Sequence, residues 1–343
     1  MKQSFIILIL AITLLFSACA KNDNKADKPG LRELTVYCAE PFSSKELWSD
    51  FTYFEARNDC RIIFRNFTDS GEIVRTMQSN GDSLNVDVLC SIPGSMITEL
   101  SQAGLFSKSE PENRKYISEK YFFDKEGYFI PYALSYLCLA YDSKHIQQPP
   151  LNFGELQDNH WAEAIIMPDP IKTGIGRSFM HFSAGLYGKN GFRYLWDGIQ
   201  KNFLQYTDSY DEGYRRFLAE EGFLIPAMIT QMRYHRQNDG DDRIRGVIMK
   251  EGTFRVTENV AILKKSKQPA LAKRFIDYLL EKQFQRKVWE QKWMYPVNGE
   301  VITELFLAED IAMYESKCKN PTQAVVKKEE TLWLKKLKRT LDR

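Results

Sequence analysis

AIIMPDPIKTGIGRSFMHFSAGLYG, from Ala164 to Gly188, is the stretch whose reading decides the rest of the chain. Apolar Ile165, Ile166 and Met167 run into the stiff turn Pro168-Asp169-Pro170. A short loop with Gly174 and Gly176 then leads into a segment where Phe179, Phe182 and Leu186 recur at helical spacing. This reads as strand, loop, helix. Glycines just before a helix let the backbone approach a ligand closely, and the first helical N–H groups have no partner within the helix. The pattern therefore points to a place for an anionic or strongly polar group, with Thr173 and Ser178 adding hydroxyls and Arg177 a forked cation. An ordinary strand-to-helix turn is the alternative. It is no dinucleotide fingerprint, because Phe179 stands in the place of the third glycine and no Gly-Lys-Ser/Thr follows.

Upstream the same alternation repeats. Leu34 to Tyr37, Arg61 to Phe64 and Val86 to Cys90 read as strands. They are followed by helical faces at Leu47, Trp48, Phe51 and Phe54, at Ile73, Val74 and Met77, and at Met96, Ile97 and Leu100 up to Gly104. Such units predict an α/β fold with mainly parallel sheets flanked by helices. Ligands of such sheets sit beyond the carboxyl ends of the strands. Here the loops in question begin at Cys38 (with Glu40 and Phe42), at Asn66 (with Asp69, Ser70 and Gly71) and at Ser91 (with Pro93). Asp69-Ser70-Gly71 is equally a good helix N-cap.

Tyr128 to Tyr141 is a long β-prone run interrupted by Pro131, either a strand pair or one bent strand. Beyond Pro149-Pro150 a second domain opens, with helices over Trp196–Phe203 and Tyr210–Leu218 and a strand over Leu224–Met228. Gly246 to Leu263 returns to β character. Leu271, Phe275, Ile276, Leu279, Leu280 and Phe284 make one amphipathic helix. The chain is thus expected to leave a first lobe (33–140 plus 250–343) for a second (141–249) and come back, and two crossings make a hinge. The basic terminal helix through Trp333, Leu334, Leu337 and Leu341 is expected to pack on the first lobe with its lysines in water.

Lys2, the apolar run Phe5 to Phe16 and Ser17-Ala18-Cys19 have the three regions of a secretory signal. The cysteine after small residues resembles a bacterial lipoprotein lipobox, which implies a lipoprotein signal over 1–18 and lipidation at Cys19, with a flexible polar tether over 19–32; a plain signal peptide with an incidental cysteine is the alternative. With 47 Lys and Arg against 45 Asp and Glu, no bulk field argues for nucleic acid. The cysteines after Cys19 (Cys38, Cys60, Cys90, Cys138 and Cys318) are odd in number and irregular in spacing, which predicts buried thiols rather than a disulfide framework and leaves a Cys38–Cys60 bridge open. No zinc spacing exists among them, and His145, His160, His181 and His235 form no helical pair, so neither metal nor cofactor is expected.

LTVY at Leu34, AGLFSKS at Ala103, YDSKHIQQPP at Tyr141, PDPIKTGIG at Pro168, the spacing of Tyr210-Asp211-Glu212-Gly213-Tyr214, and KWMYPV at Lys292 together resemble, in this order, the thiamine-binding periplasmic proteins of ABC importers. The resemblance implies a two-lobed type II periplasmic-binding-protein fold, closing on a hinge around an aromatic-lined cleft. It implies a lipid-anchored, monomeric solute-binding protein at the periplasmic face or cell surface, with a membrane permease as partner and no enzymatic activity. Thiamine joins a cationic thiazolium to a flat pyrimidine, so its cleft needs aromatic faces and a carboxylate. A phosphate ester would place its phosphate at Thr173–Ser178. Carried over by position, Tyr210 and Tyr234 are the aromatic contacts and Asp69 the polar contact of the first lobe. The candidate set is completed by Glu40, Phe42, Ser70, Gly71, Ser91, Pro93, Tyr136, Thr173, Gly174, Gly176, Arg177, Glu212, Tyr214 and Gln231. Pro93, Ala133-Leu134 and Met228 depart from the family pattern, which has an aspartate, an acidic-aromatic pair and a tyrosine there; Glu40 or Glu212 would then supply the carboxylate. An enzyme, a ferric-ion binder, a polyamine binder and a lipoprotein with a repurposed cleft are the competing readings.

Overall fold

Thirteen consecutive residues, Ile130–Asp142, form one extended strand on which both halves of the protein hang. The structure is a computed structural model and describes residues 31–39, 45–80 and 83–341. The expected signal, Cys19, the expected tether up to residue 30, Glu40 and Phe42 lie outside the described residues, and the tether's last position, Arg32, opens a strand instead. In chain order the first lobe begins with β1 (Arg32–Ala39), α1 (Lys45–Asn58), β2 (Cys60–Phe67), α2 (Ser70–Asn80), β3 (Val88–Pro93), α3 (Ile97–Ser101) and β4 (Phe106–Ser107), and leads into the long strand β5 (Ile130–Asp142). The second lobe follows as β6 (Ile165–Pro168), α4 (Gly174–Ile199), β7 (Phe203–Thr207), α5 (Tyr210–Leu218), β8 (Leu224–Met228), α6 (Ile229–Tyr234) and β9 (Ile244–Val247). The return is made by β10 (Arg255–Leu263), α7 (Pro269–Leu280), α8 (Lys282–Glu290), β11 (Tyr295–Pro296), α9 (Gly299–Glu304), α10 (Ala308–Glu315) and α11 (Gln323–Leu341).

The strands run in the order β2-β1-β3-β10-β5-β8-β6-β7. β1 and β3 are parallel, as are β6 with β7 and β6 with β8. Between these parallel groups lie the antiparallel hinge strands β5 and β10, so the sheet is mixed where strand-helix alternation alone predicts parallel pairing. β5 changes partner midway: Ile130–Tyr136 pairs with β10, and Leu137–Tyr141 pairs with β8. Every residue of β5 except Tyr141 is buried, which is why its sequence carries no alternation. Pro131, which has no N–H to give the ladder, sits where the register with β10 shifts between Glu258 and Asn259.

Helices cover both faces of each half. Leu34, Val36, Phe275 and Phe284 share one apolar cluster and Ile73, Leu89 and Ile97 another. Phe179, Phe182 and Trp196, and separately Ile166, Phe217 and Ile225, form the corresponding pair in the second half. Two expectations are corrected. The helix over Leu271–Phe284 is broken at Glu281, whose ψ of 147° is extended, giving α7 and α8. The buried side chain of Gln285 donates to the carbonyls of Leu279 and Tyr132 across that break. The terminal helix α11 packs chiefly on α4, with Val326, Trp333 and Leu337 in the cluster of Phe179 and Phe182, and reaches the first lobe at α3 and through Lys327 on Glu126. Cys38, Cys60, Cys90 and Cys138 are buried free thiols and Cys318 is half-buried, so the Cys38–Cys60 bridge is not formed.

Candidate functional site

The carboxyl ends of the parallel strands in the two halves face one another, and Asp69 lies where they meet. It follows β2 and caps α2, accepting from Gly71 N at 3.0 Å and from Ser70 Oγ at 3.2 Å. The same carboxylate reaches across to the second lobe. Oδ1 accepts from Gly174 N at 3.3 Å and Oδ2 from Tyr210 N at 3.1 Å, the first residues of α4 and α5. One carboxylate thus satisfies orphan donors at three helix starts, where the helix dipoles favour negative charge. Burial raises its carboxyl above the ordinary value, while the backbone donors act the other way.

Around Asp69 the lobes touch closely. Ser95 Oγ donates to Gly174 O at 3.3 Å, and Ser178 Oγ lies 3.1 Å from Ser95 Oγ. Pro93 and Ser70 lie directly against Gly174, and Gly71 lies against the carbonyl of Lys172. Ser70, Gly71, Pro93 and Gly174 therefore come together with Asp69. The start of α4 is nevertheless satisfied from within. Thr173, fully buried, caps Gly176 N at 3.1 Å, and Gly176 is needed because a Cβ there would meet Pro168 O at 2.0 Å.

Arg177 is a correction to the expected ligand cation. It is 1% exposed and turned inward. Nε donates to Pro170 O at 2.7 Å, Nη2 to Ile171 O at 3.2 Å, and Nη1 to Glu99 at 2.9 Å and Glu330 at 3.0 Å. His181 Nε2 lies 2.9 Å from the same oxygen of Glu330. Burial lowers His181 more than Glu330 raises it. For Glu330 burial acts upward, yet His181 and Arg177 together bring the carboxyl below its ordinary value. Both directions give one sign. The unfolded chain takes up a proton on His181 from about pH 6.5 downward, and on Glu330 from about pH 4.3 downward, that the native state resists. Stability is therefore expected to fall as pH drops from 7 toward 4, and His181→Gln should flatten the part between pH 7 and 5 in urea-unfolding curves.

Other candidates divide. Tyr136 is fully buried, stacks on Tyr314 at 5.0 Å and donates to Glu315, so it is core rather than cleft. Glu212 is spent on Arg216 one turn further along α5. Tyr214 lies 2.8 Å from His235 Nε2, whose Nδ1 is 2.7 Å from Asp239. Tyr210 donates to Gln231 Oε1, which also accepts from Met228 N at 3.2 Å. Tyr234 is 37% exposed and meets Trp293 edge-on at 5.1 Å.

Six residues absent from the sequence-derived set belong to this region. Arg233 of α6 lies over Trp289 at 3.6 Å and Trp293 at 5.0 Å, a cation–π contact joining α6 to α8 and the turn after it. Glu258 of β10 is paired with Lys292 at 2.8 Å and accepts from Tyr132. Its signal was present: a carboxylate inside the β-prone run VTENVAIL. Trp293 and Lys292 stood in the KWMYPV motif without a role. Trp293 adopts a φ of 57°, which an aromatic residue takes only when its surroundings impose it. Among the described residues one further cluster, Asp142, His145 and Glu220, has ligand atoms close enough for a metal. Arg243 already bonds both carboxylates, and Lys144 the second.

Two half-sheets joined by crossing strands thus bring polar groups of both halves together at one junction. The chain belongs to the bacterial extracellular solute-binding protein family, whose model matches residues 85–314. It is similar to the thiamine-binding periplasmic protein of Brucella abortus, 25% identical over 270 residues covering 78% of this chain and 79% of the relative. The Salmonella typhimurium protein of the same name is 24% identical, with 77% and 85% covered. Among solved structures, a periplasmic thiamin binding protein superposes with a TM-score of 0.78 at 23% identity, covering 91% of this chain and 96% of that one. The ferric binding protein from Campylobacter jejuni has the same fold, with a TM-score of 0.74 at 14% identity over 90% and 99%. The fold is the α/β type II periplasmic-binding-protein fold.

Proposed function

We propose that this protein is the extracytoplasmic solute-binding component of an ABC importer, that it takes thiamine or a closely related small polar cation between its lobes, and that it delivers the ligand to a membrane permease without chemistry. The lobes are residues 33–140 with 250–343, and residues 141–249, with α11 reaching across from the first to pack on α4 of the second. The chain acts as a monomer, tethered through a lipid on Cys19. The observation that carries the reading is the junction itself: Asp69 spans it, and Tyr210, Tyr234 and Trp293 supply aromatic surface beside it. The thiamine-binding names of the Brucella and Salmonella relatives support the choice of ligand. A phosphate ester reaches the N–H groups of Gly174 and Tyr210 only by displacing Asp69, so the unphosphorylated form is favoured.

The ferric reading is less well served. Iron needs tyrosinate oxygens, whereas the hydroxyls of Tyr210 and Tyr214 bond Gln231 and His235 and burial pushes both phenols upward.

A thermal-shift panel on the tether-free protein tests the assignment: thiamine, its phosphates, ferric citrate and spermidine. Thiamine should raise the melting temperature. Stabilisation by ferric citrate alone would overturn the ligand, and turnover of any panel member would overturn the binding-only class. Tyr234→Ala should weaken thiamine binding about tenfold, by removal of one aromatic face, with little change in unliganded stability. Unfolding of that variant without loss of affinity per folded molecule would assign the ring to packing.

A further inference from the structure

Glu258 differs from the other acidic groups at the junction in how its two oxygens are used. Oε2 is fixed twice, by Lys292 Nζ at 2.8 Å and by the hydroxyl of Tyr132. Both partners are buried; the Lys292 side chain is 2% exposed and Tyr132 is fully buried. Glu258 itself keeps 18% of its side chain exposed, and only Oε2 accepts a hydrogen bond from a described residue. A carboxylate held by one oxygen and open at the other is a preorganised acceptor, since the entropy of fixing it is already spent.

Its position on the sheet is equally specific. Glu258 lies opposite Pro93 of β3 on one side and opposite Ala133 of β5 on the other. Directly paired residues share a sheet face, so two side chains without polar hydrogens flank the carboxylate and neither competes for Oε1. Pro93 in turn touches Gly174 across the junction, which puts the stem of Glu258 one strand away from the second lobe. Lys292 precedes Trp293 directly, so the fixed oxygen and the indole are anchored by consecutive residues. Asp69 is committed to four donors and Glu212 to Arg216.

We propose that Glu258 is the specificity-determining carboxylate of the cleft: Oε1 accepts an N–H donor from a cationic, nitrogen-rich ligand whose ring lies near Trp293. This rests on the cleft reading above and deepens it, because it names the group that tells an amine from its oxygen isostere. A site built to accept N–H rejects a ligand presenting a carbonyl lone pair there, since two acceptors then face each other.

The test compares thiamine, the analogue in which oxygen replaces its pyrimidine amino group, and spermidine, by calorimetric titration of the wild-type protein, Glu258→Gln and Glu258→Asp. The wild type should prefer thiamine to the oxo analogue by about tenfold or more, as a charge-assisted hydrogen bond requires. Glu258→Gln should erase most of that preference by weakening thiamine and leaving the analogue within about threefold. Glu258→Asp, which keeps the charge that neutralises Lys292 but withdraws the oxygen, should lose the preference too while retaining the fold. Thiamine binding that is indifferent to both substitutions would overturn the proposal and leave the thiamine reading standing. Spermidine binding without thiamine binding, lost in both variants, would overturn the thiamine reading and leave the proposal standing. Binding of none of the three compounds would overturn both.

Discussion

Replacing Arg177 with alanine is expected to destabilise the protein by about 3–5 kcal/mol, because it breaks a buried ion pair and leaves its partners uncompensated. The guanidinium has no water to fall back on at 1% exposure, and four of its N–H groups are committed within the protein. Without it Glu330, itself buried, retains only His181, and the carbonyls of Pro170 and Ile171 lose their donors. Glu99 is a quarter exposed and can rehydrate, so most of the penalty falls on Glu330 and the two carbonyls. Arg177→Lys keeps the charge but not the planar fork, and should recover less than about half of the loss. Arg177→Met combined with Glu330→Met should cost less than the sum of the two single changes, because no charge is then left stranded. Urea unfolding at pH 7 measures all five variants. A loss below about 1 kcal/mol for Arg177→Ala would mean that the network is solvated in solution and that the arginine is free to meet a ligand.

That arginine also marks the limit of what the sequence made legible. The strand-loop-helix unit at Ala164–Gly188 forms with β6 at Ile165–Pro168 and α4 beginning at Gly174, because the switch from an apolar run to helical spacing is a local signal. The hinge was legible because the chain enters a second strand-helix unit beyond Pro149-Pro150 and returns to β character at Gly246–Leu263, which takes two crossings. Whether a polar residue on α4 faces a cleft or another helix is not local. From Thr173 to Ala184 every residue of this segment is buried, so Arg177, Ser178 and His181 had no solvent face to betray their direction. Their partners Glu99 and Glu330 lie 78 and 153 positions from Arg177, and nothing in the spacing announces them. Tyr136 was misplaced for the same reason, since its hydroxyl partner Glu315 comes from α10. Glu258 and Arg233 were missed because each acquires its meaning from a cross-strand or cross-lobe neighbour. Asp69 was legible as the cap of α2, and that cap is what aims its carboxylate at the N–H groups that open α4 and α5.

The tightness of the junction at Asp69 leads to the second large effect, in which stability and affinity move in opposite directions. Gly71 occupies the first turn of α2, and a Cβ built on it would lie 1.6 Å from the carbonyl oxygen of Lys172 and 2.5 Å from its carbon. Both are backbone atoms of the facing lobe, so no rotamer change relieves the overlap. Accommodating alanine requires the lobes to separate by roughly 1.5 Å at this point if ordinary contact is to be restored. The bonds from Gly174 N and Tyr210 N to Asp69, at 3.3 and 3.1 Å, would then pass beyond hydrogen-bond range. Within α2 itself alanine is the better helix former, by up to about 1 kcal/mol. Gly71→Ala should therefore leave the melting temperature of the unliganded protein unchanged or slightly raised. Its ligand affinity should fall about 100-fold, since apparent affinity scales with the fraction of molecules able to bring the lobes together. Gly174→Ala, whose Cβ would meet Pro93 at 2.5 Å from the other side, should behave alike. Calorimetric titration beside thermal melts reads both signs, and X-ray scattering should show the variants failing to contract when ligand is added. Wild-type affinity in Gly71→Ala would mean that the solute is held by one lobe alone, and the contacts across the junction would then be packing without a part in capture.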